Sequence, residues 1–194
     1  PLILFVNPSL GTQRYTDEDK LRSYLSLGTL AAALRNKAFL KRFAERLGKE
    51  EIIIDSESDY PVFDIVVLNL SLKPGRQSIQ EYFSDFLTQF KQTPLMVCMT
   101  ATSAHLDEAE EIARTAKQMV PAALRIIGGP HVSVAAADFL NNSEFQVACI
   151  GEGVETLSEI ALLVSIVGNP DFAMIEGITF KYGNGRVYSN PLRV

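Results

Sequence analysis

Cysteine and histidine are scarce in this chain of 194 residues, which contains two of each and no tryptophan. Cys98 and Cys149 both fall within apolar runs, where a thiol behaves as a small hydrophobic side chain. Two such cysteines do not make a disulfide framework, and neither His105 nor His131 has a second ligand at metal-site spacing. We therefore expect no metal site built by the chain alone. His105 is expected to be solvated and His131 to order its own loop.

Long apolar stretches and basic clusters are also missing. No apolar run approaches the roughly 20 residues that span a bilayer, and the first residues lack the basic start of a signal peptide. The net charge is −5, and no run of lysine and arginine could follow a phosphate backbone. We expect a cytoplasmic protein that binds neither membrane nor nucleic acid. Because the sequence opens on Pro1 and stops after a predicted hairpin, we expect a piece of a longer protein.

The chain does contain a series of short apolar runs separated by helical patterns. Such runs are typical of strands buried on both faces of a parallel sheet. The predicted strands cover residues 2–6, 52–54, 65–70, 95–99, 124–127 and 147–150. Spacings of about 3.6 predict helices over residues 27–39, 79–90, 107–119 and 156–167. After them the period changes to two, and Asn184-Gly185 predicts a hairpin.

This order predicts an α/β fold. We expect a doubly wound, flavodoxin-like or Rossmann-like, mostly parallel sheet of five or six strands with a small C-terminal β-hairpin. The predicted domain covers residues 1–168, and residues 169–194 form the hairpin and a linker.

Glycine and hydroxyl residues follow three of the predicted strands. Gly128-Gly129 and Gly151-Glu152-Gly153 end two of them, and Thr100, Thr102 and Ser103 follow a third. The carboxyl ends of parallel strands meet at one sheet edge, where ligands bind, and glycine lets the backbone approach a ligand closely. Gly128-Gly129 alone would also suit an ordinary strand-to-helix turn. Together, the three loops predict a groove for a long ligand whose phosphate and sugar accept hydrogen bonds.

Five segments in a fixed order carry a family resemblance. They read LILFVNPSLGT, SLGTLAAAL, MTATSAHLDEAEEIA, RIIGGPHVSV and IGEGVETLSEI. In this order they resemble the cobalamin-binding domain that precedes the radical S-adenosylmethionine barrel in a large enzyme family. That family includes methyltransferases and the anaerobic Mg-protoporphyrin monomethyl ester cyclase. The resemblance runs from Leu2 to about Leu163, and the closing residues resemble the hairpin and linker leading into the barrel.

The resemblance implies a corrinoid ligand and a set of contacts. Thr100, Thr102 and Ser103 would lie beside its nucleotide tail, Gly128 and Gly129 would make room for it, and Gly151, Glu152 and Gly153 would lie near its far end. Pro130 and His131 belong to the same binding loop, and Asn7, Pro8 and Ser9 would lie under the corrin face. The iron-sulfur cluster and S-adenosylmethionine would belong to the catalytic barrel, an intramolecular partner beyond this chain.

The chain also departs from related patterns. Methionine synthase-type modules carry a cobalt-ligating histidine after the first strand, where this chain reads Asn7-Pro8-Ser9-Leu10-Gly11-Thr12. We therefore expect base-off cobalamin without a protein imidazole at cobalt. Family members usually have an acid where Val154 stands, and the run at 65–70 suggests an additional strand. Two cysteines cannot supply the three-cysteine cluster loop, so we leave open whether the chain is itself an enzyme.

Other functions remain open but fit less well. The loop after the first strand is a poor phosphate loop for a flavodoxin-like FMN carrier, has no acids for a phospho-acceptor domain, and lacks the glycine pattern of a nicotinamide fold. The main alternative is a cobalamin-free module of the same fold that covers the substrate or binds a partner domain.

Overall fold

A computed structural model describes residues 1–8, 27–46, 48, 62–72, 75, 77–90, 92–168 and 170–193. Within these residues a seven-stranded sheet has the order β2-β1-β3-β4-β5-β6-β7. The strands are β1 Leu2–Asn7, β2 Asp64–Asn69, β3 Met96–Thr100, β4 Leu124–Gly128, β5 Val147–Cys149, β6 Ile178–Lys181 and β7 Val187–Ser189. The helices are α1 at residues 27–35, α2 Lys37–Arg46, α3 Ile79–Phe90, α4 Leu106–Met119, α5 Pro130–Asn141 and α6 Val154–Val167.

The first five strands are parallel, and their order, 2-1-3-4-5, is that of a flavodoxin-like sheet. β1 lies between β2 and β3 and all six of its residues are buried, as its continuous apolar run predicts. β6 pairs antiparallel with β5, and β7 with β6. The predicted α/β class is therefore confirmed, and the hairpin continues the same sheet.

The apolar run at 65–70, which suggested an additional strand, forms β2 and pairs with β1. In a flavodoxin-like sheet this is the position of the second strand. The predicted strand at 52–54 lies outside the described residues. Whether the sheet has an additional strand therefore stays a prediction.

Alternating side chains divide the core into two clusters, one on each sheet face. Phe5, Cys98 and Ile126 lie in the cluster that contains residues of α1, α2 and α6. Val6, Val97 and Ile127 lie in the cluster that contains residues of α3, α4 and α5. A helix thus covers each face, which is the arrangement that keeps a parallel sheet away from water.

The predicted helix at 27–39 is wrong in one respect, because the structure divides it at Asn36. The Asn36 side-chain oxygen accepts a hydrogen bond from the Phe39 backbone N–H at 3.0 Å, which caps the start of α2. Ala38 consequently lies exposed, although in one continuous helix it would share a face with the buried Leu34, four residues earlier. The buried face of α2 consists of Leu40, Phe43 and Ala44.

α5 is a helix that the periodicity did not predict. Its backbone is non-helical at Ala135, where φ is −138° and ψ is 31°. This kink resets the helical phase, so no single apolar stripe runs along the segment.

Among the described residues, none of the helices has both the length and the apolarity needed to cross a membrane.

Replacing Asn36 with alanine should lower the free energy of unfolding by about 1 kcal/mol, because the first turn of α2 loses its cap. Urea denaturation followed by circular dichroism measures this change. The control is Asn141→Ala at the exposed end of α5, which should stay within about 0.5 kcal/mol of the parent protein. Equal effects of the two substitutions would contradict the capping role.

Candidate functional site

A cavity of about 350 Å³ opens at the carboxyl edge of the sheet, on the face covered by α1 and α6. Seven of the residues predicted from sequence line it: Thr100, Gly128, Gly129, Pro130, Gly151, Glu152 and Gly153. Its volume is at the lower end of the roughly 300 to 1,000 Å³ typical of ligand pockets. It would therefore hold one arm of a large ligand.

Hydrogen bonds tie the three loops around this cavity together. The Ala101 backbone N–H donates to the Gly128 carbonyl at 3.0 Å, joining the loops after β3 and β4. The Ser133 hydroxyl donates to the Gly129 carbonyl at 3.1 Å and accepts from the Gly151 N–H at 3.2 Å. Ser133 thus joins the two glycine turns. The sequence did not mark it as a site residue, although it lies within the RIIGGPHVSV segment.

Three other predicted residues lie in the same loops but do not line the cavity. Ser103 Oγ lies 2.9 Å from His131 Nδ1, which gives a second link between the loops after β3 and β4. Thr102 Oγ1 lies 3.0 Å from Nδ1 of His105, which is half-buried rather than fully solvated. Whether Thr102, Ser103 and His131 contact a ligand stays a prediction.

The loop after β1 begins with two buried residues. Asn7 is 1% exposed, and its amide donates to the Asn69 side-chain oxygen at 3.2 Å, joining the ends of β1 and β2. Pro8 is buried as well, and neither residue lines the cavity. Ser9 lies outside the described residues. The expected corrin contact of Asn7, Pro8 and Ser9 therefore stays a prediction.

The two adjacent glycines after β4 have different reasons to be glycine. Gly129 has a φ of 110°, and a Cβ there would lie 2.5 Å from the Ala101 carbonyl oxygen. The fold itself therefore requires glycine at 129. At Gly128 an added Cβ would meet its nearest neighbours, Cβ and the carbonyl oxygen of Cys149, at 3.8 Å, an ordinary contact. Packing within the protein does not require glycine at 128, where the missing side chain leaves space in the cavity.

The cavity wall is apolar below this rim. Phe5, Cys98 and Ile126 come from three neighbouring strands, at paired positions on one sheet face. Leu30 of α1 and Leu157 of α6 contribute from the helices. The sequence did not single out these residues, because a parallel strand buried on both faces has no polar side to show which face adjoins a ligand.

The two cysteines, predicted to be buried in strands, both line the cavity. Burial raises the pKa of the Cys149 thiol to about 12, against a smaller opposing effect of Arg193. Burial, with a contribution from Cys149, raises the pKa of the Cys98 thiol well above its ordinary value. Both are therefore neutral thiols near pH 7.

A charged cluster lies beside the first turns of α6. Arg193 donates to Glu155 at 3.0 Å, to Thr156 Oγ1 at 3.1 Å and to the buried carboxylate of Glu159. Arg46 pairs with Glu159 at 3.2 Å. Burial lowers the pKa of the Arg193 guanidinium, but its bonds to the two carboxylates outweigh this effect and raise it. The cluster fixes the segment after β7 against the helix that borders the cavity.

Among the described residues, no group of three or more histidine, cysteine or acidic side chains could hold a metal ion. The site is instead a glycine-rimmed apolar cavity at the carboxyl edge of a flavodoxin-like sheet. This combination defines a class of small-molecule-binding α/β domains.

The chain belongs to the B12 binding domain family, whose sequence model matches residues 29–161. The chain is 29% identical over 82 residues to 2-(S-pantetheinyl)-carbapenam-3-carboxylate methyltransferase of Streptantibioticus cattleyicolor. The aligned residues make up 42% of this chain and 12% of that protein.

Two solved structures share the fold. The radical S-adenosylmethionine methyltransferase TsrM from Kitasatospora setae, with cobalamin and a [4Fe-4S] cluster bound, has a TM-score of 0.66 at 18% identity. The cobalamin-dependent S-adenosylmethionine radical enzyme OxsB, with aqua-cobalamin and S-adenosylmethionine bound, has a TM-score of 0.62 at 16% identity. Both cover 100% of this chain, which in turn covers 29% and 22% of their lengths.

Gly129→Ala should lower the free energy of unfolding by about 2 to 4 kcal/mol, because it adds backbone strain and a contact with the Ala101 carbonyl. Gly128→Ala should change it by less than about 1 kcal/mol, since its methyl group meets only ordinary contacts. Thermal and urea unfolding of both variants measure the difference. Similar losses at the two positions would contradict the distinction.

Neither thiol should react with a disulfide reagent in the folded protein at pH 8, and both should react after denaturation. At a pKa of about 12 for Cys149, roughly one thiol in ten thousand is ionised at pH 8. Spectrophotometric thiol counting tests this expectation, and rapid reaction of the native protein would contradict it. The contribution of the Cys149 thiol to the free energy of unfolding should decrease as the pH rises from the ordinary pKa of 9.0 towards about 12, which urea unfolding at several pH values measures.

Proposed function

We propose that this chain binds cobalamin across the carboxyl edge of its sheet, with the nucleotide end of the cofactor in the cavity described above. The main support for the proposal is the space at Gly128. Its missing side chain leaves space in an apolar cavity, although the protein's own packing would accept a Cβ there. Membership of the B12 binding domain family supports the same assignment.

The chemistry of the cavity fits the two parts of a nucleotide tail. The apolar wall of Phe5, Cys98 and Ile126 suits a flat aromatic base. Around the rim, Thr29 and Thr100 bring hydroxyl groups, and the glycine turns bring backbone groups, which suit a ribose and a phosphate. The apolar wall would therefore hold the base, and the polar rim would hold the ribose and phosphate of the same ligand.

We further propose that the cofactor is bound base-off, without a protein imidazole at cobalt. Neither His105 nor His131, both of which lie in the described part of the chain, lines the cavity, and Nδ1 of His131 already pairs with Ser103. A base held in the cavity could not also coordinate the metal. Bound cobalamin would supply a cobalt centre that can carry a methyl group. The residues of this chain would bind the cofactor, orient it and exclude water from its tail.

The parent protein, by this proposal, is a cobalamin-dependent radical S-adenosylmethionine enzyme of the methyltransferase or cyclase type. Residues 1–168 would hold the corrinoid, and residues 169–194 would lead towards the catalytic barrel, which would bind the iron-sulfur cluster and S-adenosylmethionine. The fold shared with TsrM and OxsB supports this arrangement. Arg193, bonded to Glu155 and Glu159, would fix the start of that connection. A cytoplasmic location is part of the same proposal.

Titration with hydroxocobalamin should convert the visible spectrum of the cofactor to its base-off form, and the cofactor should stay with the protein on desalting. Gly128→Ala should bind about tenfold more weakly, because its methyl group takes up cavity space without unfolding the protein. Gly183→Ala is the matched control, since the site around this hairpin glycine is open. It should bind as the parent protein does.

An unshifted spectrum with no retained cofactor would contradict the proposal. It would favour the alternative function, a cobalamin-free module that covers the substrate or contacts a partner domain.

A further inference from the structure

The residues of the cavity are arranged in levels along the strands. Thr100 of β3 pairs in register with Gly128 of β4 at the carboxyl edge. Two residues earlier, Cys98 pairs with Ile126 on β4 and with Phe5 on β1. Since side chains on one face recur every second residue, these three form the level beneath the rim. We call Phe5, Cys98 and Ile126 the cavity floor.

The cavity floor offers very little hydrogen-bonding capacity. Phe5 and Ile126 have none in their side chains, and Cys98 has a neutral thiol, which is a weak donor and a weak acceptor. All three are at most 4% exposed. Among the described residues that line the cavity, the one carboxylate belongs to Glu152, which lies exposed in the loop after β5. Among the described residues, the strong polar side chains of the cavity therefore lie at the rim.

We infer that the cavity floor selects corrinoids by their lower base, taking an apolar base such as dimethylbenzimidazole in preference to adenine. This inference rests on the proposed function, because it concerns which form of the cofactor the same cavity holds. Dimethylbenzimidazole carries two methyl groups and, beyond its glycosidic nitrogen, one ring acceptor. Adenine carries an exocyclic amino group and several ring nitrogens. Those groups would lose water at the floor without finding strong partners.

The expected size of the preference follows from the cost of an unpartnered polar group. One buried donor or acceptor left without a partner weakens binding by a factor of about ten or more. The adeninyl corrinoid should therefore bind at least about tenfold more weakly than cobalamin. Cobinamide, which has no nucleotide, should also bind more weakly than cobalamin because it leaves the cavity without a ligand group.

The test compares dissociation constants of the protein for cobalamin, its adeninyl analogue and cobinamide, from visible-spectrum titrations at one salt concentration. Each constant is corrected for the free energy of removing the base from cobalt in the free corrinoid, which acid titration of that corrinoid measures. Two variants at one position probe the floor. Cys98→Ser adds a hydroxyl group that can pair with adenine, and it should reduce the preference for cobalamin at least threefold. Cys98→Ala adds no such group, and it should leave the preference unchanged. Ile126→Thr provides a second polar floor if Cys98→Ser does not fold.

The outcomes separate this inference from the proposed function. Support for the inference would be tighter binding of cobalamin than of the adeninyl corrinoid, with a ratio of dissociation constants that falls in Cys98→Ser and stays the same in Cys98→Ala. Equal or tighter binding of the adeninyl corrinoid would overturn it and leave cobalamin binding intact. Equal binding of cobinamide and cobalamin would overturn insertion of the base into the cavity. Failure of all three corrinoids to bind would overturn the proposed function as well.

Discussion

The close approach of the loop after β4 to the loop after β3 is the constraint on which the site depends. At Gly129 the backbone passes so near Ala101 that even a methyl group would collide with the carbonyl oxygen. The Ala101 N–H bonds the Gly128 carbonyl across the same approach. This contact sets the edge of the cavity, and Ser133 extends it to the loop after β5 through its bonds to Gly129 and Gly151. Three loops of different strands thereby act as one rim.

The sheet beneath this rim explains why the cavity has a polar and an apolar end. Parallel strands buried on both faces are apolar along their length, and polar groups enter only where the strands stop. Thr100 and Gly128 stand at that boundary, and Cys98 and Ile126 lie one level below it. A ligand entering from the carboxyl edge would therefore meet hydroxyl groups and backbone first and hydrocarbon afterwards. The same order of groups occurs along a nucleotide tail read from its phosphate and sugar to its base.

Sequence patterns predicted most of the fold and the rim of the site. Apolar runs give the parallel strands, Asn184-Gly185 gives the hairpin, and glycines at two strand ends mark the rim. The residues of the cavity floor could not be predicted, because an apolar run does not show which of its alternate residues face a cavity. The links made by Ser133 and Arg193 were missed because they join distant parts of the chain: Gly151 lies 18 residues from Ser133, and Glu155 and Glu159 lie 38 and 34 residues from Arg193. The break at Asn36 was hidden because apolar spacing continued across it, although asparagine is a common helix cap.

By our proposal, the nucleotide base of cobalamin enters the cavity on the α1 and α6 face of the sheet. A crystal structure of the cobalamin complex measures this most directly, through the position of the lower base. We expect the base to lie against Cys98 and Ile126, with neither the base nor a histidine of this chain bonded to cobalt. Electron density for a base coordinated to cobalt, with only water in the cavity, would contradict it.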